Sequence, residues 1–166
     1  IITNDANKGQ SFSIFEGVKN SSYEIIITID GDGQNDPADI PKLYNFYIQN
    51  NEVKLVGGIR KNRKDSLTKI ISSKIANYIR SKILKDGCKD TGCSLKVFNK
   101  KIFLSFPFFN GVHRFLPALF RGYGYKTEFL YVNHRKRIYG SSKYGTMNRL
   151  FVGIRDIIKV KKILKK

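Results

Sequence analysis

Two carboxylates two residues apart, Asp30 and Asp32, stand in the turn Asp30-Gly31-Asp32-Gly33, directly after the apolar run Tyr23–Ile29. Residues i and i+2 of an extended chain point the same way, so both carboxylates can face one crevice. A pair of hard oxygen ligands suits Mg²⁺ or Mn²⁺, which complete their shells with water and substrate phosphates. The same residues also suit a plain acidic turn closing a strand, because Asp and Gly dominate turns. Gln34, Asn35 and Asp36 add polar groups, although Asp36-Pro37 also reads as a helix start.

A second cluster, Gly57 to Asp65, follows another apolar run and carries Arg60 and Arg63. The guanidinium fork matches phosphate oxygens in bidentate fashion. Metal-binding carboxylates and phosphate-binding arginines at neighbouring strand ends point to a pyrophosphate substrate. Taken singly, each arginine reads as a solvated surface charge. Three further segments mix polar and apolar residues: Asp90-Thr91-Gly92-Cys93, Gly111-Val112-His113-Arg114-Phe115, and the basic loop from Asn133-His134-Arg135 to Ser142-Lys143-Tyr144-Gly145. Nothing in composition decides whether His113 and His134 are structural or catalytic. Cys88 and Cys93 lack the second ligand pair of a zinc site, and no P-loop spacing occurs.

Periodicity supplies the elements that must position these groups. Helices are predicted at Gln10–Lys19, from Pro37 to about Asn50, at Ser66–Leu84 and at Val112–Arg121. Strands are predicted at Tyr23–Ile29 (β-branched, as if buried on both faces), Val53–Ile59, Cys93–Phe98 and Lys126–Asn133. This alternation implies an α/β sheet with ligands beyond the strands' carboxyl ends. The last segment, Thr146–Lys166, has helical period with basic residues around an apolar face. It suits an anionic membrane surface and an ordinary core-docked helix equally. The expected division is 1–145 for the α/β fold and 146–166 for this helix.

The 166 residues carry 31 Lys and Arg against 13 acidic residues, a net +18. From Lys100 onward, 16 basic residues face 2 acidic ones. Such a half needs an anionic partner, unless a compositional bias toward Lys explains it. The apolar share of 41% excludes a disordered tail. Two cysteines are too few for a disulfide scaffold, and no apolar run is long enough to span a bilayer.

As a set, the motifs resemble bacterial glycosyltransferase family 2, in its dolichol-phosphate mannosyltransferase-like, polyprenyl-phosphate branch. The stretches that carry the resemblance are NKGQSFSIFEGV, TIDGDGQNDPADIPKL, VGGIRKNRKD, SKIANYIR, DTGCSLKVF, GVHRFLPAL, VNHRKR and GSSKYG, in order along nearly the whole chain. The resemblance implies a GT-A fold, a Rossmann-like mixed sheet flanked by helices, starting after the family's first strand–helix–strand unit. It implies a GDP- or UDP-sugar donor and a divalent ion, Mg²⁺ or Mn²⁺, held by Asp30 and Asp32. Gln34, Arg60, Arg63 and Arg114 fall at donor or phosphate positions, and Ser142 and Lys143 in a loop closing near a lipid phosphate.

The expected reaction is an inverting transfer to a polyprenyl phosphate, at the cytoplasmic face of a membrane or in the cytoplasm. The phosphate is already anionic near neutral pH and needs no general base; a hydroxyl acceptor would need one, with Asp90 the first candidate. The competing readings are a basic nucleic-acid-binding module and a catalytically inactive membrane-associated scaffold of the same fold. The first leaves Asp30 and Asp32 unexplained.

Overall fold

The structure, a computed structural model, describes residues 2–61, 67–136 and 146–165, with side chains described except at position 69 and positions 146–151. Gly9 precedes α1 (Gln10–Lys19), which presents Val18 to the core and leaves Ile14 and Phe15 half-buried. Strand β1 (Ile25–Thr28) leads into the acidic turn. The Asp36 carboxylate accepts the Ala38 N–H and starts a short 3-10 turn, Pro37–Asp39, which runs on into α2 (Ile40–Gln49). Next come β2 (Val53–Arg60), α3 (Leu67–Leu84), β3 (Lys96–Asn99) and α4 (Lys100–Ser105). A second 3-10 turn, Val112–Arg114, precedes α5 (Leu116–Gly122), β4 (Lys126–Val132) and α6 (Thr146–Ile163).

The strands form one mixed sheet in the order β1-β3-β2-β4. β3 runs antiparallel to both neighbours, Ile25 opposite Asn99 and Leu55 opposite Phe98, while β2 and β4 are parallel, Arg60 opposite Val132. The carboxyl ends of β1, β2 and β4 therefore lie at one end of the sheet, joined there by the segment entering β3. Every site-bearing loop predicted from the sequence and described here opens at that end, apart from the Gly111–Phe115 turn.

Side chains from the two sheet faces feed two cores. Leu55 and Phe98 face α1, α4, α5 and α6 among Phe103, Phe106, Phe120 and Val160; Val53, Val56 and Val97 face α2 through Leu43 and Tyr47. Phe98 is fully buried, its ring 5.3 Å from Phe103 and 6.1 Å from Phe120. Truncating such a side chain to alanine costs about 3–5 kcal/mol.

Four expectations change, one being the Val112–Arg121 helix, which breaks at Phe115 into a 3-10 turn and α5. β1 is not buried on both faces: among the described residues it is a sheet edge, with only Ile26 buried. The third strand begins at Lys96 rather than Cys93. Helix α4 was not foreseen: the Asn99 side chain accepts the Ile102 N–H at 3.0 Å and turns an apolar run out of the sheet into a helix. α6 docks into the core through Val160, with Ile157 and Leu164 half-buried beside it.

Candidate active site

At the end of β1 the turn is pinned from β3's approach by one serine that the sequence reading passed over. Ser94 accepts the Asp30 N–H at 3.0 Å and the Asn35 side-chain amide at 2.7 Å on its hydroxyl, and its carbonyl accepts the Thr28 hydroxyl at 2.7 Å. Gln10 of α1 donates to Asp30 Oδ1 at 2.9 Å. Asp32 Oδ1 accepts the Gln34 N–H at 3.0 Å, closing a tight turn through Gly33, whose φ of 75° is costly for any residue with a Cβ. Burial raises the pKa of Asp30 above 3.8, and the neighbouring Asp32 adds to it; a hydrogen bond from Ser94 and the charges of Lys96 and Arg60 oppose the shift. A carboxylate pair in this state gains from a cation.

At the end of β2, Arg60 is gripped by Asp90. Asp90 Oδ2 accepts both the Arg60 backbone N–H (3.1 Å) and Nε–H (2.8 Å), and Oδ1 accepts from Nη2 at 2.8 Å. The side chains are 13% and 7% exposed. Gly92 lies against this fork, and a Cβ there would sit 2.8 Å from Arg60 Nη2. The loop carrying Asp90 is held by α3. Asn77 accepts the Thr91 N–H and hydroxyl, and the buried Arg80 pairs with Asp86 and donates to the Cys88 carbonyl.

Beneath both acids runs Lys96, 4% exposed, its Nζ donating to the Cys93 carbonyl. Burial pushes its pKa down, against the charges of Cys93, Cys88, Asp90 and Asp30. Its signal in the sequence is a lysine flanked by Leu95 and Val97 inside an apolar run. Burial also raises both thiols, Cys88 to about 11, which makes them poor nucleophiles.

The exit of β4 closes the end of the sheet. His134 bridges Asn35 in a short antiparallel pairing, the Arg135 N–H donates to the Gln34 carbonyl at 2.9 Å, and the Arg135 guanidinium pairs with Asp36 at 2.7 Å. His134, undecided from composition, thus lies against the acidic turn.

Of the residues singled out from the sequence, Asp30, Asp32, Gln34, Arg60 and Asp90 gather at this end of the sheet. Arg114 is tied to Asp156 of α6, at 2.8 Å. Arg63, Ser142 and Lys143 lie outside the described residues. Among the described residues no cluster of three or more His, Cys, Asp or Glu could hold a metal. The donor set is two carboxylates on one tight turn, which fits Mg²⁺ or Mn²⁺ that keep water and phosphate ligands.

The family model of glycosyl transferase family 2 matches residues 1–105. The chain belongs to glycosyl transferase family 2. Among curated family members it is 36% identical over 163 residues to the dodecaprenyl-phosphate galacturonate synthase of Rhizobium johnstonii, covering 96% of this chain and 48% of that protein. It is 33% identical over 142 residues to the undecaprenyl-phosphate 4-deoxy-4-formamido-L-arabinose transferase of Aeromonas hydrophila, covering 86% of this chain and 43% of that one. The chain thus spans a little under half the length of these relatives. In structure it is similar to glucosyl-3-phosphoglycerate synthase of Mycobacterium tuberculosis, crystallised with Mn²⁺, UDP and its glucosylated product. The TM-score is 0.67 at 16% identity, over 92% of this chain and 53% of that one. That likeness shows the GT-A fold of the family.

Proposed function

We propose that this family 2 domain serves an inverting transfer of a sugar from a nucleotide-sugar donor, a UDP- or GDP-sugar, to a polyprenyl phosphate at the cytoplasmic face of a membrane. The observation that carries the reading is the convergence of the Asp30–Asp32 turn and the Asp90-held Arg60 at the end of the sheet where three parallel strands finish. The names of the curated relatives support the acceptor class, and the metal- and UDP-bound neighbour supports the donor class.

Each residue's part follows from its setting. Asp30 and Asp32 would hold Mg²⁺ or Mn²⁺, which when bound neutralises charge on the leaving nucleoside diphosphate. Arg60, its fork fixed by Asp90, offers N–H donors to phosphate oxygens without having to be ordered at the moment of reaction. A lipid phosphate oxygen attacks the anomeric carbon, the bond to the diphosphate breaks on the opposite face, and no proton need be removed from the nucleophile. Asp90 acts through Arg60 as a positioning residue, because both of its oxygens are engaged by that side chain. Gln34, Arg63, Ser142 and Lys143 are proposed contacts of the two phosphate groups, and Arg114 a more distant one.

The test is incubation with Mn²⁺ or Mg²⁺, a short polyprenyl phosphate and a panel of UDP- and GDP-sugars. Metal-dependent release of nucleoside diphosphate coupled to lipid glycosylation, lost in Asp30→Ala, is the expected outcome. Silence across the panel, with tight salt-sensitive binding to nucleic acid, would overturn it.

A further inference from the structure

The Gly111–Phe115 turn is the described segment, among those the sequence singles out, that stands away from the acidic end of the sheet. It nevertheless reaches that end through α1. Ser11 Oγ accepts the Gly111 N–H at 2.7 Å and is hydrogen-bonded to His113 Nδ1, also at 2.7 Å. One hydroxyl of α1 is thus clamped by two atoms of a turn 100 and 102 positions further along the chain. The preceding residue, Gln10, donates its Nε2–H to Asp30 Oδ1 at 2.9 Å. Neighbouring side chains on a helix diverge by about 100°, so Ser11 can be held inward while Gln10 reaches the crevice. Fixing the rotation of α1 at Ser11 therefore fixes where the Gln10 amide stands.

The first turn of α1 needs such a clamp. Ser11 and Val18 are its buried residues, one near each end, and Val18 is packed in the core. Asn7, Lys8, Gly9 and Gln10 are exposed, and Gly9 supplies no side chain to cap the helix. A helix start without a cap leaves its first N–H groups to water and frays readily. The turn on the other side of the clamp is firmly seated. Val112 and Phe115 are buried, and Arg114 pairs at 2.8 Å with the buried Asp156 of α6. Gly111 holds φ at 99°, where a Cβ would sit 2.9 Å from both Arg114 Nη2 and Asp156 Oδ2. Ser11 is the joint between this rigid turn and the exposed end of the helix.

We propose that Gln10 is a positioning residue for Asp30, and that the Ser11–His113 clamp sets it in place. The Gly111–Phe115 turn thereby governs cation binding at the acidic turn without touching the ion. The proposal rests on the reading of Asp30 and Asp32 as cation ligands. A carboxylate oxygen that holds an N–H donor keeps its remaining lone pair aimed in one direction, whereas a free carboxylate swivels about its Cβ–Cγ bond. Gln10 orients Asp30 Oδ1 in this way, while Ser94 fixes the backbone of the same residue.

The probe is Mn²⁺ alone, with the free ion followed by electron paramagnetic resonance and no sugar donor or lipid present. Gln10→Met keeps the length of the side chain and removes its donor at an exposed position, so Tm should match the parent. Its Mn²⁺ dissociation constant should rise about tenfold, the scale of an outer-shell partner. His113→Leu should weaken Mn²⁺ binding about as much, and His113→Asn, which keeps a polar atom where Nδ1 stands, should restore most of the affinity. Because Ser11 acts through Gln10, Ser11→Ala should weaken binding in the parent but add nothing in the Gln10→Met background. Parent-like affinity in Gln10→Met would overturn the proposal. So would additive losses in the double variant, which would give Ser11 a merely structural part. Where the parent itself leaves Mn²⁺ free, the metal reading of Asp30 fails, and amide exchange at Gly31–Gln34 without metal decides on the clamp. Exchange there at least about threefold faster in Gln10→Met would keep it, and equal exchange would dismiss it. Mn²⁺ binding that depends on Gln10 in a chain that transfers no sugar would fault the transfer reading alone.

Discussion

Asp90 holds Arg60 by both its main chain and its side chain, a three-bond grip across 30 residues of sequence. One carboxylate therefore fixes where β2 ends and where its last guanidinium points. Asp90→Ala leaves a mostly buried cation and a backbone N–H without that partner, at a cost of about 3–5 kcal/mol. Urea unfolding of Asp90→Ala, Arg60→Ala and the double variant should give a coupling of about 0.5–3 kcal/mol; additive effects would dismiss the grip. Gly92→Ala presses on the same grip: its Cβ would sit 2.8 Å from Arg60 Nη2 and 3.5 Å from Asp90 Oδ1, so the fork must shift, and both Tm and sugar transfer should fall.

Burial raises the Asp30 pKa, so the folded chain binds that proton more tightly than the unfolded chain does. The contribution of this group to stability is complete below about pH 3.8 and is lost as pH rises through the raised folded value. Asp30→Asn removes the ionisation, so the metal-free variant should be more stable than the parent at pH 7. That advantage should vanish in acid, as read by denaturant midpoints across pH. Mn²⁺ affinity, followed by the electron paramagnetic resonance of the free ion, should weaken with acidification at a higher pH than for an ordinary aspartate. An advantage of the variant independent of pH would contradict the shift.

Arg80 and Asp86 form a buried pair, 6% and 0% exposed at their side chains, and both also bond the backbone of Cys88. Removing either partner strands a charge in the interior, so Asp86→Ala should lose about 3–5 kcal/mol in urea unfolding. A loss below about 1 kcal/mol, the scale of surface pairs, would show that water reaches the site.

His113 is kept neutral. Burial pushes its pKa down to about 3, with the charges of Lys96 and Arg114 adding to the effect. Ser11 accepts the Gly111 N–H, and its hydroxyl is hydrogen-bonded to His113 Nδ1 at 2.7 Å. A base with a lowered folded pKa contributes stability above its unfolded value near 6.5 and loses it as pH falls toward 3. Stability of the parent should fall across that window with a limiting slope of about 1.4 kcal/mol per pH unit. In His113→Gln that part of the slope should disappear; an identical slope would place the proton elsewhere.

Much of the frame was legible because local signals agreed with global packing. The Gln10–Lys19 helix matches end for end, and the Val53–Ile59 strand runs one residue further, to Arg60. The β-branched run before Asp30 announced a strand but not its place, since burial of a strand depends on neighbours that its own sequence does not contain. Helix α4 was hidden because it is only six residues long and follows β3 without a loop, the capping side chain of Asn99 being its cue. Asp30, Asp32 and Arg60 stood out by type and spacing. Ser94 and Lys96 did not: a serine that orders the acidic turn and a lysine buried below it gain their roles only from strands distant in sequence. The pairing of Ser11 with His113 spans 102 positions and leaves no local trace.

The bridge between Asn35 and His134 ties the loop of one outer strand to the exit of the other, across the ends of the two strands between them. Contacts this remote in sequence close slowly, because the chain entropy of a long loop must be spent before they form. The acidic turn therefore takes its final frame only once β4 has joined the sheet beside β2. A chain still being synthesised, or halted before β4, would display Asp30 and Asp32 without the strap that seats them, so competence for chemistry arrives only with the completed sheet.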